Sequence, residues 1–226
     1  MIETDVPKRR FHLSKRNYQW LFFAGVALAC LTIFLELGED VWSKEGFPWD
    51  ASIMLAIHAY SRPWLDYLML AITETAGNYA VIGVIVLALW LWRGKAQLNA
   101  LLLLFSFGGA VVFNSLLKLF FARPRPTIIP RLVVEGNYSF PSGHTIAAVA
   151  LYGLLAVWLW QQRHWLWAIL CGTWPLAVAI SRIYLGVHYP SDVLASLTVG
   201  SLWVMAVVVV SGYLIKTPLY AKLTRN

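Results

Sequence analysis

Three short polar stretches in a very apolar chain carry residue types that can do chemistry together. The first is Ser181–Asp192, which holds Arg182, His188 and Asp192 between two long apolar runs. His188 and Asp192 are four residues apart, a spacing at which two side chains on one helical face can meet. A histidine with one ring nitrogen held by a carboxylate presents the other as a base or a nucleophile. Taken alone, the stretch would also serve as a headgroup anchor at a helix end, so its role depends on what stands beside it.

The second stretch is Lys118 with Arg123-Pro124-Arg125-Pro126. Alternating prolines cannot continue a helix, so the preceding apolar run ends by about Ala122 and the arginines leave it rigidly. Arginine suits a phosphate because its planar fork donates paired hydrogen bonds and never deprotonates. The third stretch is Pro141-Ser142-Gly143-His144, at the start of another apolar run. Ser142 is a good N-cap, Gly143 lets a ligand approach the backbone, and the helix start offers unpaired N–H groups at its positive end. Lys118, Arg125 and Arg182 therefore supply fixed positive charge for a phosphoryl group, and His144 is suited to protonating a leaving oxygen. Two histidines and Asp192 could also bind zinc or iron. At least three cations would crowd such an ion, and a single carboxylate is available, so no metal and no other cofactor is expected.

The elements that must position these residues are membrane spans. The chain is 59% hydrophobic and 13% charged, against roughly a quarter charged in soluble domains. Both cysteines, Cys30 and Cys171, lie inside apolar runs and read as small packing residues, not a disulfide framework. Six spans are predicted, at about Trp20–Leu37, Pro63–Trp92, Leu98–Phe121, Thr145–Trp160, Trp165–Leu185 and Pro190–Leu214. The second carries a break or bend at Gly77-Asn78, and Pro175 should kink the fifth. The first reads as an uncleaved span because no small-residue cleavage site follows it. Between spans one and two, Pro48–Ala59 could form an interfacial helix, with Ile53, Ile57 and Tyr60 suitably spaced. The fold class is thus all-α, a single polytopic membrane domain over residues 1–226, with its chemistry in about 63–214 and a basic lead-in at 1–18.

Charge sets the expected orientation. Of the 18 Lys and Arg residues, only Lys44, Arg62, Lys118, Arg123, Arg125, Arg131 and Arg182 fall on the side away from the termini. The positive-inside rule then makes the termini cytoplasmic and turns all three polar stretches outward. The net charge of +7 is accounted for by this distribution, and no nucleic-acid partner is expected. Charged side chains near mid-bilayer cost about 2.5–3.5 kcal/mol each. That cost largely disappears at helix ends that converge on an anion.

The three stretches together resemble the signature of the type 2 phosphatidic acid phosphatase superfamily, K-x6-R-P, then P-S-G-H, then S-R-x5-H-x3-D. Here these are Lys118 to Arg125-Pro126, Pro141 to His144, and Ser181-Arg182 to His188 and Asp192. The resemblance implies a metal-independent lipid phosphatase in which His188 attacks phosphorus and Asp192 holds its other nitrogen. His144 would protonate the leaving group, and Lys118, Arg125, Arg182, Ser142 and Gly143 would hold the phosphoryl oxygens. Arg123 lies outside the signature and is as suited to lipid headgroups as to the substrate. The implied partners are a lipid phosphate and the surrounding membrane lipids, with no obligatory protein partner evident. The short loops resemble bacterial members acting on undecaprenyl diphosphate, phosphatidylglycerophosphate or phosphatidic acid in the cytoplasmic membrane. Substrate choice would lie in the lipid-facing groove, in residues 127–138 and in residues 38–62. Glu36, Glu39, Asp66, Glu74 and Glu135 carry no assigned role and are expected to be solvated or paired with arginines. Two other readings are a phosphotransferase of the same fold and a non-enzymatic transporter or lipid-binding protein.

Overall fold

A computed structural model describes residues 15–217 apart from residue 137, and the basic lead-in before Lys15 and the tail cations Lys222 and Arg225 lie outside the described residues. The described residues form helices and connections without a strand: α1 (Lys15–Trp42), α2 (Pro48–His58), α3 (Pro63–Glu74), α4 (Asn78–Arg93), α5 (Gln97–Phe121), α6 (Gly143–Ala148), α7 (Leu154–Gln161), α8 (Trp165–Tyr184) and α9 (Pro190–Leu214). A π-helical turn, Val149–Gly153, joins α6 to α7. Six stretches are long and apolar enough to cross a membrane: Trp20–Trp42, Pro63–Arg93, Gln97–Phe121, Gly143–Gln161, Trp165–Tyr184 and Pro190–Leu214.

Proline sets several of these boundaries. Pro48, Pro63 and Pro190 each occupy the first turn of a helix, where the missing N–H costs nothing. Arg123-Pro124 follows α5, whose last residue is capped by Ala122 in a left-handed conformation, φ 46°. By contrast, α8 runs on through Pro175 without interruption. The first span is longer than its apolar run predicts. Its polar last turns stay helical because Gly38 meets Phe121, and Trp42 stacks on Phe120 with ring centroids 4.7 Å apart.

The expected break in the second span is real and separates α3 from α4 at Thr75–Gly77. Non-helical backbone at membrane depth must find partners inside the protein. Tyr152 Oη donates to the Thr75 carbonyl at 2.8 Å, and Trp174 Nε1 donates to Thr75 Oγ1 at 2.9 Å. The π turn is similarly supported, since Ser106 Oγ donates to the Ala150 carbonyl at 3.0 Å.

The helix expected between the first two spans forms over Pro48–His58. Ile53 and Tyr60 are exposed, 38% and 74%, while Met54 and Asp50 are the buried residues of α2. Met54 packs with Ile129, Ala179, Ile183 and Val193, fastening α2 over the ends of α8 and α9. Large apolar side chains such as Phe22, Val86, Leu119 and Leu166 remain exposed around the bundle. In a chain with six such spans, that surface is the one lipid covers. Buried polar residues gather at one end, and they build the site.

Candidate active site

The site lies where four helix ends meet: the C-terminal end of α5, the start of α6, the C-terminal end of α8 and the start of α9. His188 and Asp192 do pair, although not along one helical face. His188 precedes α9 in the connection from α8, and Asp192 is in the first turn of α9. The chain curls at Tyr189 so that its N–H donates to Asp192 Oδ2 at 2.9 Å, and His188 Nδ1 lies 3.4 Å from the same oxygen. Both side chains are buried, 1% and 0% exposed.

The other ring nitrogen, Nε2, is 3.2 Å from Arg125 Nη1. A guanidinium only donates, so Nε2 carries the lone pair and the ring proton sits on Nδ1, facing Asp192. Arg125 is itself steadied by a 2.9 Å hydrogen bond from Nη1 to the Val187 carbonyl. Burial, followed by the charges of Arg182, Lys118 and Arg125, pushes the His188 imidazole well below its ordinary range and keeps it neutral. A neutral, oriented imidazole whose Nε2 keeps its lone pair is the form that can act as a nucleophile.

The three expected cations do converge. Arg182 is 1% exposed, and its Nη1 donates to Thr73 Oγ1 at 2.9 Å. Its Nε is buried with no hydrogen-bond partner among the described residues. A buried guanidinium N–H left without an acceptor suits an incoming anionic oxygen. Lys118, also buried, donates from Nζ to the Tyr138 carbonyl.

Glu135, to which the sequence assigns no role, stands in this cradle. Its Oε1 pairs with Arg182 Nη2, and its Oε2 lies 3.4 Å from Arg125 Nη2. Burial pushes the Glu135 carboxyl up, but Arg182, Arg125 and His144 outweigh it and hold the group below the usual carboxylate range. A carboxylate thus bridges the two forks that the sequence marks for phosphate. A cavity of about 630 Å³ opens beside it, lined by Pro124, Arg125, Thr127, Arg131, Glu135, Gly136 and Tyr138.

The start of α6 differs in detail from the sequence expectation. Ser142 stands at the N-cap position with an extended backbone, yet its side chain makes no capping bond. Its Oγ accepts from Thr145 Oγ1 at 3.0 Å, and its own N–H donates to Ser196 Oγ at 2.6 Å. The Ser142 hydroxyl proton therefore remains free to donate. The first-turn N–H groups from Gly143 onward have no intrahelical acceptor. Gly143 faces Asn114 and Lys118, and the His144 ring sits against Gly77 at the break in the second span, close to Glu74.

Arg123 forms ion pairs with Asp192 at 2.5 Å and Asp50 at 3.0 Å, and its guanidinium lies 4.0 Å from the centre of the Tyr189 ring. Among the described residues, no three His, Cys, Asp or Glu side chains are grouped in a way that could hold a metal ion.

Comparison with known proteins gives a consistent answer. Residues 99–216 match the family model of the PAP2 superfamily. A phosphatidylglycerophosphatase B of Bacillus subtilis (strain 168) is 30% identical over 190 residues, 81% of this chain and 88% of that one. An undecaprenyl-diphosphatase of the same organism is 36% identical over 160 residues, covering 65% of this chain and 76% of its own. The crystal structure of a transmembrane PAP2 type phosphatidylglycerolphosphate phosphatase from Bacillus subtilis superposes with a TM-score of 0.77 at 27% identity, covering 84% of this chain and 98% of that one.

Proposed function

The chain belongs to the PAP2 superfamily and is a membrane lipid phosphatase, and from that premise we propose that it hydrolyses a lipid phosphate or diphosphate through a phosphohistidine on His188. The observation that carries the proposal is the fixed state of His188, with Nδ1–H toward Asp192 and the Nε2 lone pair among three buried cations. Nε2 attacks phosphorus, and the bond from phosphorus to the lipid oxygen (or to the lipid monophosphate of a diphosphate) breaks. His144 protonates the departing oxygen. Water then attacks phosphorus, His144 takes its proton, and the P–N bond breaks to release inorganic phosphate.

Lys118, Arg125 and Arg182, with the Ser142 hydroxyl and the Gly143 N–H, hold the equatorial oxygens, whose charge grows in the transition state. An entering phosphoryl group competes with Glu135 for the same two guanidinium forks. No step calls on a metal. The substrate class comprises undecaprenyl diphosphate, phosphatidylglycerophosphate and phosphatidic acid. The distribution of Lys and Arg supports cytoplasmic termini and a site at the outer face of a bacterial cytoplasmic membrane.

Purified enzyme in mixed micelles, supplied with each lipid class and excess chelator, should release inorganic phosphate, and His188→Ala should abolish that release while still inserting. Turnover by the alanine variant would refute the phosphohistidine, loss of activity in chelator would refute the metal-free route, and a labelled lipid in place of free phosphate would mark a phosphotransferase.

A further inference from the structure

Asp50 lies on α2, 73 residues before Arg123 and 141 before Ser191, outside the three chemical stretches of the sequence. It is nonetheless 3% exposed, and its side-chain hydrogen bonds run to Arg123 and Ser191 beside Asp192. Oδ1 accepts from the Ser191 N–H at 2.8 Å, while Oδ2 accepts from the Ser191 hydroxyl at 2.6 Å and from Arg123 Nη2 at 3.0 Å. Arg123 turns its other terminal nitrogen, Nη1, to Asp192 Oδ1 at 2.5 Å and to Ser191 Oγ at 2.8 Å. The guanidinium fork is therefore divided between two carboxylates.

That division matters for Asp192. An arginine facing a single carboxylate tends to engage both oxygens with two parallel bonds. Such a pairing would draw on Oδ2, the oxygen that now accepts from the Tyr189 N–H and faces His188 Nδ1. Asp50 occupies the second arm of the fork and leaves Oδ2 to the imidazole. It also leaves the group of two carboxylates and one guanidinium with net negative charge, so the charge of Asp192 toward the ring is not cancelled.

We infer that Asp50 is a positioning residue of the phosphatase reaction, holding Asp192 toward His188 by sharing Arg123. This rests on the His188 reading above. It also gives α2 a task in catalysis beyond lying over the ends of α8 and α9.

The test is a double-mutant cycle on the full-length enzyme, with phosphate release as readout. Asp50→Asn keeps an acceptor for the Ser191 N–H and removes the charge that holds Arg123. It should lower kcat by about tenfold or more with KM within about threefold and an almost unchanged melting temperature. On an Arg123→Gln background there is no fork to divide, and the same substitution should cost less than about threefold. Equal losses on both backgrounds would show that Asp50 only anchors α2 to Ser191, and an undiminished kcat in the single variant would also overturn the inference. Should Asp50→Asn not accumulate in the membrane, Arg123→Gln, which removes the cation the two acids share, must show the same selective loss of kcat. Full kcat in Arg123→Gln would overturn it. Failure of the underlying reading is distinguishable, because His188→Ala would then retain turnover.

Discussion

Replacing Glu135 by glutamine should tighten the binding of a phosphate to this enzyme. Glu135 lines the cavity and pairs with Arg182 Nη2 and Arg125 Nη2, so an anionic oxygen that bridges these two nitrogens must take its place. A hydrogen bond to a charged group contributes about 1.5–3 kcal/mol net. Losing one such competitor lowers the inhibition constant of a small oxyanion by roughly 10- to 150-fold. Stability should move the other way. Lys118, Arg125 and Arg182 would lose a nearby counter-charge, so the variant without phosphate should melt earlier than the wild type. Saturating phosphate should restore it, since a ligand at a hundred times its dissociation constant adds about 2.7 kcal/mol. The assay is competitive inhibition by inorganic phosphate and by tungstate at fixed ionic strength, paired with melting curves with and without phosphate. Weaker inhibition of the glutamine variant would refute the reasoning and make Glu135 a part of the binding surface, not its competitor.

Two further outcomes are expected. Gly186, between Arg182 and His188, has φ +74°, and a Cβ there would lie 2.9 Å from the Pro130 carbonyl oxygen. Gly186→Ala should cost about 1–3 kcal/mol, a loss of several degrees in melting temperature, and should lower kcat by shifting the loop that carries His188. An unchanged melting curve would contradict the strain. Because His188 is held neutral in the fold, an unfolded chain binds a proton there that the folded chain refuses. Its contribution to stability is therefore complete above about pH 6.5 and declines as pH falls below that value, by up to about 1.4 kcal/mol per pH unit. Melting temperature should fall between pH 7 and pH 5, and less steeply in His188→Gln. Equal slopes in the two proteins would show that His188 is not the group responsible.

Much of this molecule is legible in its sequence because local physics governs it. Apolar runs of membrane length become the spans, and prolines at 48, 63 and 190 open helices on the residues where they stand. The interruption around Gly77 appears as a break between two helices. His188, Asp192, Lys118, Arg125, Arg182 and His144 stand together at one end because each lies at the end of a span, and topology brings those ends to one side. What α2 turns inward was not legible. Ile53 and Tyr60 stay exposed, and the inward positions go to Met54 and Asp50 because buried partners on α8 and α9 receive them.

Ion pairing was likewise beyond reach of the one-dimensional pattern. Arg123 could have faced lipid headgroups, substrate or any of several acids, and Glu135 any of several arginines. The choice of Asp50 and Asp192 for the one, and of Arg182 and Arg125 for the other, spans up to 73 residues of chain. Charge attraction carries no memory of sequence separation; it depends on distance and burial, which exist only once the helices have packed. The sequence by itself determined that His188 would have a carboxylate and cations near it. Only the tertiary structure decided that this carboxylate shares its arginine with a second acid, and that another acid already bridges Arg125 and Arg182.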